Sequence, residues 1–371
     1  GVAVGLMLIA LGAGALKANT STLLGTLYDQ GDPRRDGGFT LFYLGINLGA
    51  FAGPLITGLL QTSLGFHYGF GAAAVGMALG LTQYVVFRRN LGEHGRTVPH
   101  PLSGNALWRS AAVAAAVVAV VVVGFVTGLV TLANLSQVTT LIIVLASVGY
   151  FAVMLTSPRV EKGERTRVRA FIPLFIANAV FWSLFQQIFT VLAVYSDERI
   201  NWTVFGWTAP SSWIGSMEPV WIILLSPVFA VLWTKLGRRA PTTPRKFAYG
   251  VIGMGLAFLL FLPLAGGEGR TVPVLAVAAI LAAFAVSELL LSPIGLSVTT
   301  QLAPNAFRAQ MMALYFFSVG LGTALSGVLS RYYSAEHEVA YFGIIGAAAV
   351  AVGVAVWLIA PRISALMDGV H

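Results

Sequence analysis

Cysteine and charge are both scarce in this chain. None of its 371 residues is cysteine, which excludes disulfides and thiolate metal sites. Only 10% of the residues are charged, whereas a soluble domain carries about 25%. We therefore interpret the chain as a membrane protein with several spans.

Motifs for catalysis and for ATP hydrolysis are missing as well. The sequence has no Walker motif and no serine nucleophile elbow, so we expect neither an ATP motor nor an enzyme. The histidines all lie in predicted loops or at the C-terminus, so we expect no cofactor and no metal site within the membrane; they are His67, His94, His100, His337 and His371.

The chain instead contains long apolar runs, and 57% of its residues are hydrophobic. Each run is long enough to cross about 30 Å of hydrocarbon. In lipid each must be a helix, because no water is present to bond a free backbone group. We predict eleven spans, at residues 1–27, 38–61, 68–88, 107–131, 138–157, 170–195, 211–234, 246–265, 272–300, 308–331 and 340–360.

Basic residues are concentrated in alternate loops. Segments such as "PRVEKGERTRVR" and "KLGRRAPTTPRK" fall on one side of the predicted topology, whereas only Arg199, Arg270 and Arg331 fall on the other. By the positive-inside rule, the basic side and the C-terminus after Pro361 are cytoplasmic, and the chain lies in the cell membrane. The net charge of +8 thus reflects topology, so we expect a lipid bilayer and not nucleic acid as a partner.

The beginning and the middle of the chain both suggest how it is organised. The chain opens at Gly1 inside an apolar run, without the basic region or cleavage site of a signal peptide. We expect further spans, most simply three, to precede it. The helices predicted within 107–157 contain the uncharged runs "AAVAAAVVAVVVVGF" and "TTLIIVLASVGYFAVML". We interpret this pair as a lipid-facing hairpin without chemistry, inserted between two helical bundles.

Three charged residues lie inside apolar spans, where a charge costs about 2.5–3.5 kcal/mol at the bilayer centre. They are Lys17 in "LGAGALKANTS", Glu218 in "WIGSMEPVWIILLSP" and Glu288 in "AAFAVSELLLSPIGLS". One cation and two anions on separate helices suit a zwitterionic substrate, and a buried carboxylate suits proton transfer. The alternatives are that Lys17 snorkels to an interface and that the glutamates form ion pairs that only lock helices.

Uncharged polar residues mark two further helix faces. Tyr43 and Asn47 are four residues apart, as are Trp182 and Gln186, so each pair shares a face. An amide in lipid needs a partner, so we expect Gln186 to face the interior of a bundle. Prolines interrupt several predicted spans, and bent helices suit alternating access; they are Pro54, Pro219, Pro227 and Pro293.

Five stretches of the chain resemble the proton-coupled oligopeptide transporters, a branch of the major facilitator superfamily. They are "GAGALKANTS", "DQGDPRRDGGFTLFYLGINLGAFAGPLITG", "FWSLFQQ", "SMEPVWIILLSPVFAVLW" and "SELLLSPIGLSVTTQLAP". The second is the most specific, because its Phe-Tyr-x-x-Ile-Asn-x-Gly core follows a loop with Asp and Arg. The resemblance covers nearly the whole chain.

The resemblance implies an all-α polytopic membrane protein with the major facilitator fold. This chain would be an N-terminally truncated bacterial member with about 11 of 14 transmembrane helices. Residues 1–88 would form a partial N-terminal bundle with helices four to six. Residues 89–169 would form the inserted hairpin and its cytoplasmic linkers, and residues 170–371 the six-helix C-terminal bundle.

The resemblance also implies roles for matching residues. Lys17 would attract the carboxylate of a peptide and take part in proton coupling, and Glu288 would receive its amino terminus. Tyr43 and Asn47 would contact the peptide in the cavity. Trp182 matches an aromatic residue of the family's seventh-helix motif.

Several positions depart from the family pattern. Gln186 cannot titrate, although the family often has an acid there that is linked to proton binding and gating. Glu218 stands where many members have Asn, so we hypothesise that it replaces the missing acid. Tyr315 stands where Trp is common and is expected to shape a side-chain pocket. The expected substrate site comprises Lys17, Tyr43, Asn47, Trp182, Gln186, Glu218, Glu288 and Tyr315, and the expected proton-coupling residues are Lys17, Glu218 and Glu288.

The expected function is proton-coupled symport of di- and tripeptides by alternating access. The alternative is a major facilitator transporter of a non-peptide substrate such as nitrate, a drug or an amino acid, since one fold serves several substrates. The expected partners are small peptides, protons and the lipid bilayer, with no obligate protein partner. A purely structural subunit would be a third reading, and it predicts that Lys17→Ala leaves uptake intact.

Overall fold

A computed structural model describes residues 34–95, 104–204 and 206–367, with a few isolated positions before residue 34. Within the described residues, ten helices are long and apolar enough to cross a membrane. They confirm the ten predicted spans from 38–61 onward and the all-α membrane class. Most of the predicted first span, 1–27, lies outside the described residues, and so does Lys17.

The helices follow the apolar runs because a span in lipid must satisfy its own backbone groups. Short 3-10 turns and two-residue strands connect them. The helices are α1 Arg34–Leu64, α2 Phe66–Phe87, α3 Gly104–Val126, α4 Leu135–Thr156, α5 Lys162–Phe185, α6 Val191–Glu198, α7 Ile214–Leu236, α8 Thr243–Leu259, α9 Val274–Leu302, α10 Arg308–Leu329 and α11 Glu338–Leu366; the strands are β1 Ile200–Asn201, β2 Thr203–Val204, β3 Trp207–Thr208 and β4 Val272–Pro273.

Helix α5 begins at Lys162, well before the span that we predicted from residue 170. A capping box sets this start: the Glu161 carboxylate caps the first turn, and Glu164 Oε2 accepts the N–H of Glu161 at 3.2 Å. Glu164 Oε1 also accepts the N–H of Asn305 at 3.0 Å, which ties this end of α5 to the connection before α10. The basic segment that we predicted as a loop is therefore mostly helical.

The chain divides into two compact units, Gly1–Val122 and Val123–His371. In the first unit, α1 packs against α2. A Cβ added to Gly69 would lie 2.9 Å from the carbonyl oxygen of Thr57, so only glycine allows this approach of the two backbones.

The core of the second unit lies among α5, α8, α9 and α11. An aromatic cluster lies in this core, where Phe261, just after α8, stacks on Phe342 of α11 with ring centroids 4.8 Å apart. Tyr195 meets both rings edge to face, an arrangement that adds to their burial energy.

A buried network, here called the Arg199 lock, joins three segments at one end of the second unit. Arg199 Nε lies 3.1 Å from Glu338 Oε1, and both side chains are at most 5% exposed. Glu338 also accepts the Gly266 N–H at 3.0 Å, and Arg199 donates to the Gly269 carbonyl at 3.0 Å. Strands β1 and β4 pair in parallel alongside. The lock therefore holds the end of α6, the connection before α9 and the start of α11 together.

Tyr333 completes the Arg199 lock. Its hydroxyl donates to Glu338 Oε1 at 3.1 Å. Burial and the neighbouring Glu338 carboxylate raise the pKa of the Tyr333 hydroxyl, so this group stays protonated and remains a donor. The charge of Arg199 is balanced by Glu338, and Glu338 also accepts hydrogen bonds from Gly266 and Tyr333. Such compensation is the condition for burying an ion pair.

Helix α4 corrects part of the lipid-facing hairpin that we predicted. Most of its side chains are exposed, but one face packs against α10 and buries Ser147 and Met154. The Arg331 guanidinium donates to the Ala133 carbonyl and, at 3.3 Å, to Ser136 Oγ. Apolar composition alone does not separate a lipid-facing surface from a helix-facing one, because both exclude water.

Candidate functional site

Tyr43 and Asn47 lie on one face of α1, in the first unit. Asn47 is buried, and its Nδ2 donates to the Tyr43 carbonyl at 2.9 Å. Tyr43 is 37% exposed. Tyr43 and Asn47 therefore share a face of α1, as their spacing predicts. The Asn47 side chain donates its hydrogen bond to the backbone of the same helix. Lys17, the third predicted residue of this half, is outside the described residues.

In the second unit, the helical path of one span breaks at Gln186. Helix α5 ends at Phe185, a 3-10 turn covers Gln186–Phe189, and Thr190 leaves helical geometry with φ −121° and ψ −93°. No proline lies at this break. Helices α1, α7 and α9 instead continue through their prolines, which corrects the prediction that these prolines interrupt spans; they are Pro54, Pro219, Pro227 and Pro293. The broken span is the one that holds Trp182 and Gln186.

Polar side chains join the broken span to α10. Asn178 Nδ2 donates to Ser318 Oγ at 2.6 Å, and Gln186 Nε2 donates to Thr323 Oγ1 at 3.2 Å. Below the break, the hydroxyls of Thr190 and Ser326 lie 3.2 Å apart. Gln186 is half-buried and its amide has a partner on α10, as an amide within a membrane span requires.

The close approach of α5 and α10 depends on Gly322. A Cβ at this position would lie 2.5 Å from Trp182 Cβ and 2.7 Å from the Ala179 carbonyl oxygen. Trp182 is half-buried and meets Phe181 and Phe185 edge to face. Its buried Nε1 has no acceptor in the described part of the chain. Gly322 thus sets the position of Trp182, a predicted site residue whose indole N–H has no partner within the described residues.

We expect Gly322→Ala to destabilise the second unit by about 1–3 kcal/mol, the usual effect of overpacking a close contact. The measurement is the thermal unfolding midpoint of the purified protein in detergent. Gly320→Ala on the same helix is the matched control, since its Cβ would meet only Ile143 Cδ1, at 3.4 Å. Equal midpoints for the two variants would contradict the role of Gly322.

Gln187 is a buried polar residue that the sequence analysis did not single out. Its side chain is fully buried, and its Oε1 accepts hydrogen bonds from Thr190 Oγ1 at 2.9 Å and from Tyr341 OH at 3.1 Å. Nε2 donates to the Ser183 carbonyl. The stretch "FWSLFQQ" contains two adjacent amides, Gln186 and Gln187, and the prediction used only Gln186. Gln187 supports the break by bonding to both sides of it.

The structure brings Glu218 of α7 together with Glu288 of α9. Glu288 lies at the middle of α9, half-buried, and Glu218 is 6% exposed. Their carboxyl groups lie close enough to influence each other electrostatically. A hydrogen bond between two carboxyl groups requires a proton on one of them. The pair is therefore a place where one proton can be shared between two helices.

Two further features define the surroundings of this pair. Glu218 Oε1 is buried without a hydrogen-bond partner in the described residues. No lysine or arginine within those residues forms an ion pair with either carboxyl group. Tyr315 of α10 is 7% exposed and packs against Gly295. It also lies close enough to Glu288 for the carboxyl group to influence the tyrosine hydroxyl electrostatically. Three of the predicted site residues are thus gathered around one acidic centre.

Comparisons with known proteins show that this chain is similar to membrane transporters. The family model described as "POT family" matches residues 2–347. An uncharacterised transporter of Bacillus subtilis is 40% identical, over 99% of this chain and 75% of that protein. A di-/tripeptide transporter of Lactococcus lactis subsp. cremoris is 37% identical, over 99% of this chain and 76% of that protein.

Solved structures give the same result. A crystal structure of a mutant peptide transporter POT in complex with alafosfalin is 44% identical, with a TM-score of 0.90 over 99% of this chain and 75% of that chain. A POT family transporter in complex with 5-aminolevulinic acid is 35% identical, with a TM-score of 0.87 over 96% of this chain and 75% of that chain.

Proposed function

We propose that this chain, which belongs to the POT family, takes up di- and tripeptides together with protons by alternating access. The 37% identical relative named as a di-/tripeptide transporter supports the substrate class. The family and the ten membrane-length helices in the described residues make the chain a multi-pass membrane protein. We place it in the cell membrane with its basic loops and C-terminus in the cytoplasm.

The Glu218–Glu288 pair is the observation that carries the proton coupling. With one shared proton, the pair keeps one negative charge, which the ammonium group of a peptide would neutralise. Without that proton, the pair would present two negative charges to one ammonium group. Closing membrane helices around an uncompensated charge is unfavourable. The occluded state is then favoured when peptide and proton are both bound, which is the requirement for symport.

The remaining predicted residues complete the proposed site. Glu288 receives the amino terminus of the peptide, and Lys17 binds its carboxylate. Tyr43 and Asn47 also contact the peptide. Trp182 Nε1, which has no partner among the described residues, offers a donor.

Uptake of labelled dialanine into liposomes tests this proposal, with an inward proton gradient and protein expressed from the complete gene. The wild type should accumulate peptide by about tenfold for each pH unit and proton coupled. We expect Lys17→Ala and Glu288→Gln to abolish accumulation, because each removes one charge that binds the zwitterion.

The matched control is Glu268→Gln, the same chemical change at an exposed loop residue, and it should transport normally. Absence of dialanine uptake by folded wild-type protein would contradict the peptide assignment. Retained accumulation in Lys17→Ala would instead support a snorkelling or structural lysine.

A non-peptide substrate is the second candidate, and one observation favours it. A 35% identical POT family structure holds 5-aminolevulinic acid, a small molecule with an amine and a carboxylate. Both substrate types would use the same two charges. Competition separates them: for a peptide transporter, dialanine should displace labelled substrate at a lower concentration than 5-aminolevulinic acid does.

A further inference from the structure

A cavity of about 810 Å³ opens between the start of α8 and the second half of α9. Its lining on α9 runs from Pro293 to Gln301, a distance of about 12 Å along a helix. The end near Gln301 is polar, and Thr242 and Thr243 also line the cavity. The other end of the α9 lining is apolar, with Pro293 and Ile294. The cavity is therefore suited to a ligand that is polar at one end and apolar at the other.

The polar end of the cavity lies in the most basic segment of the second unit. Residues 235–246, "KLGRRAPTTPRK", contain five basic residues and no acidic residue. Lys246 lines the cavity, and its Nζ lies 4.4 Å from the ring centroid of Trp233. Tryptophan together with a snorkelling lysine is typical of the headgroup level of a bilayer. We therefore expect the cavity to open near the depth of lipid phosphate groups.

The first turn of α8 contributes backbone donors at the same end. Thr242 caps the helix without a side-chain hydrogen bond, and its carbonyl accepts the Lys246 N–H at 3.0 Å. The N–H groups of Thr243 and Arg245 precede the first helical acceptors, and Pro244 has none. Such N–H groups and the positive end of the helix dipole attract an anion. They add to the charge of Lys246, which lines the same cavity.

We propose that this cavity binds an anionic phospholipid. The lipid phosphate lies at Lys246 and the first turn of α8, and the upper part of an acyl chain packs along Pro293 and Ile294. Basic pockets between transmembrane helices bind lipid headgroups in this way. A free phosphate ion would use the polar end and leave the apolar end empty. The amphipathic lining is the reason for assigning a lipid.

Retention of phosphatidylglycerol tests the proposal without any measurement of transport. The protein expressed from its complete gene is purified, mixed with phosphatidylglycerol or phosphatidylcholine, and analysed by native mass spectrometry. The wild type should retain phosphatidylglycerol in preference to phosphatidylcholine. Lys246→Ala should weaken that retention about fivefold, the effect of one basic residue near an anionic headgroup. Lys246→Arg, which keeps the charge over Trp233, should restore it.

Two controls make the test specific. Lys235→Ala removes an exposed basic residue of the same segment that does not line the cavity, and it should change nothing. Ser297→Phe fills the cavity and leaves Lys246 in place, so it should also reduce retention, independently of any folding defect in Lys246→Ala.

Three results would overturn the proposal. The first is equal retention of the two lipids by the wild type. The second is equal loss of phosphatidylglycerol in Lys246→Ala and Lys235→Ala. The third is complete displacement of phosphatidylglycerol by inorganic phosphate at millimolar concentration, which would assign the polar end to a free anion instead.

Discussion

Replacing Glu218 with glutamine should abolish proton-driven uptake and leave the exchange of substrate for substrate intact. The amide can still occupy the contact with Glu288, but it cannot hold the shared proton. Glu288 keeps its negative charge for the ammonium group, so substrate binding survives. Counterflow of labelled dialanine without a pH gradient measures exchange, and accumulation under an inward gradient measures coupling.

A rescue variant sharpens this prediction. If the acid that the family often carries at Gln186 has been replaced by Glu218, then Gln186→Glu should restore proton-driven uptake to the Glu218→Gln protein. The turn at Gln186–Phe189 contacts α7, the helix that carries Glu218. Glu268→Gln again serves as the exposed control. Unchanged pH-driven uptake in Glu218→Gln would show that the pair does not carry the coupled proton.

Replacing Glu338 with alanine should destabilise the second unit by about 3–5 kcal/mol, the usual effect of removing one partner from a buried ion pair. Arg199 would keep its charge inside the protein without a counter-ion, and the Gly266 N–H and the Tyr333 hydroxyl would lose their acceptor. Denaturant unfolding in mixed micelles measures the change in the free energy of unfolding.

The chain provides a matched control for the Arg199 lock. Arg270 and Asp197 form an exposed ion pair at 3.6 Å, with side chains 59% and 65% exposed, and exposed pairs contribute little to stability. Arg270→Ala should therefore leave the unfolding curve nearly unchanged. The double variant Arg199→Met, Glu338→Leu should be far more stable than Glu338→Ala, because no unpaired charge remains. A similar loss in Glu338→Ala and Arg270→Ala would show that the lock does not stabilise the fold.

The sequence determined the membrane class and the ten described spans. Hydrocarbon allows a crossing segment only one way to satisfy its backbone, so apolar length predicts each helix. It also identified Glu218 and Glu288, because a carboxylate within an apolar run stands out without any knowledge of its neighbours. The family resemblance was confirmed by the match over residues 2–347.

Only the tertiary structure decided which of these residues meet. Glu218 pairs with Glu288, and Arg199 pairs with Glu338, across long separations in the chain. Side chains this far apart leave no periodic pattern, because their contact depends on how two helices rotate and pack. The same holds for the α4 face against α10 and for Gln187, whose partner Tyr341 is on α11. Hydrophobic length fixes where a helix crosses the membrane, whereas packing of small residues such as Gly322 fixes which side chains it presents to its neighbours.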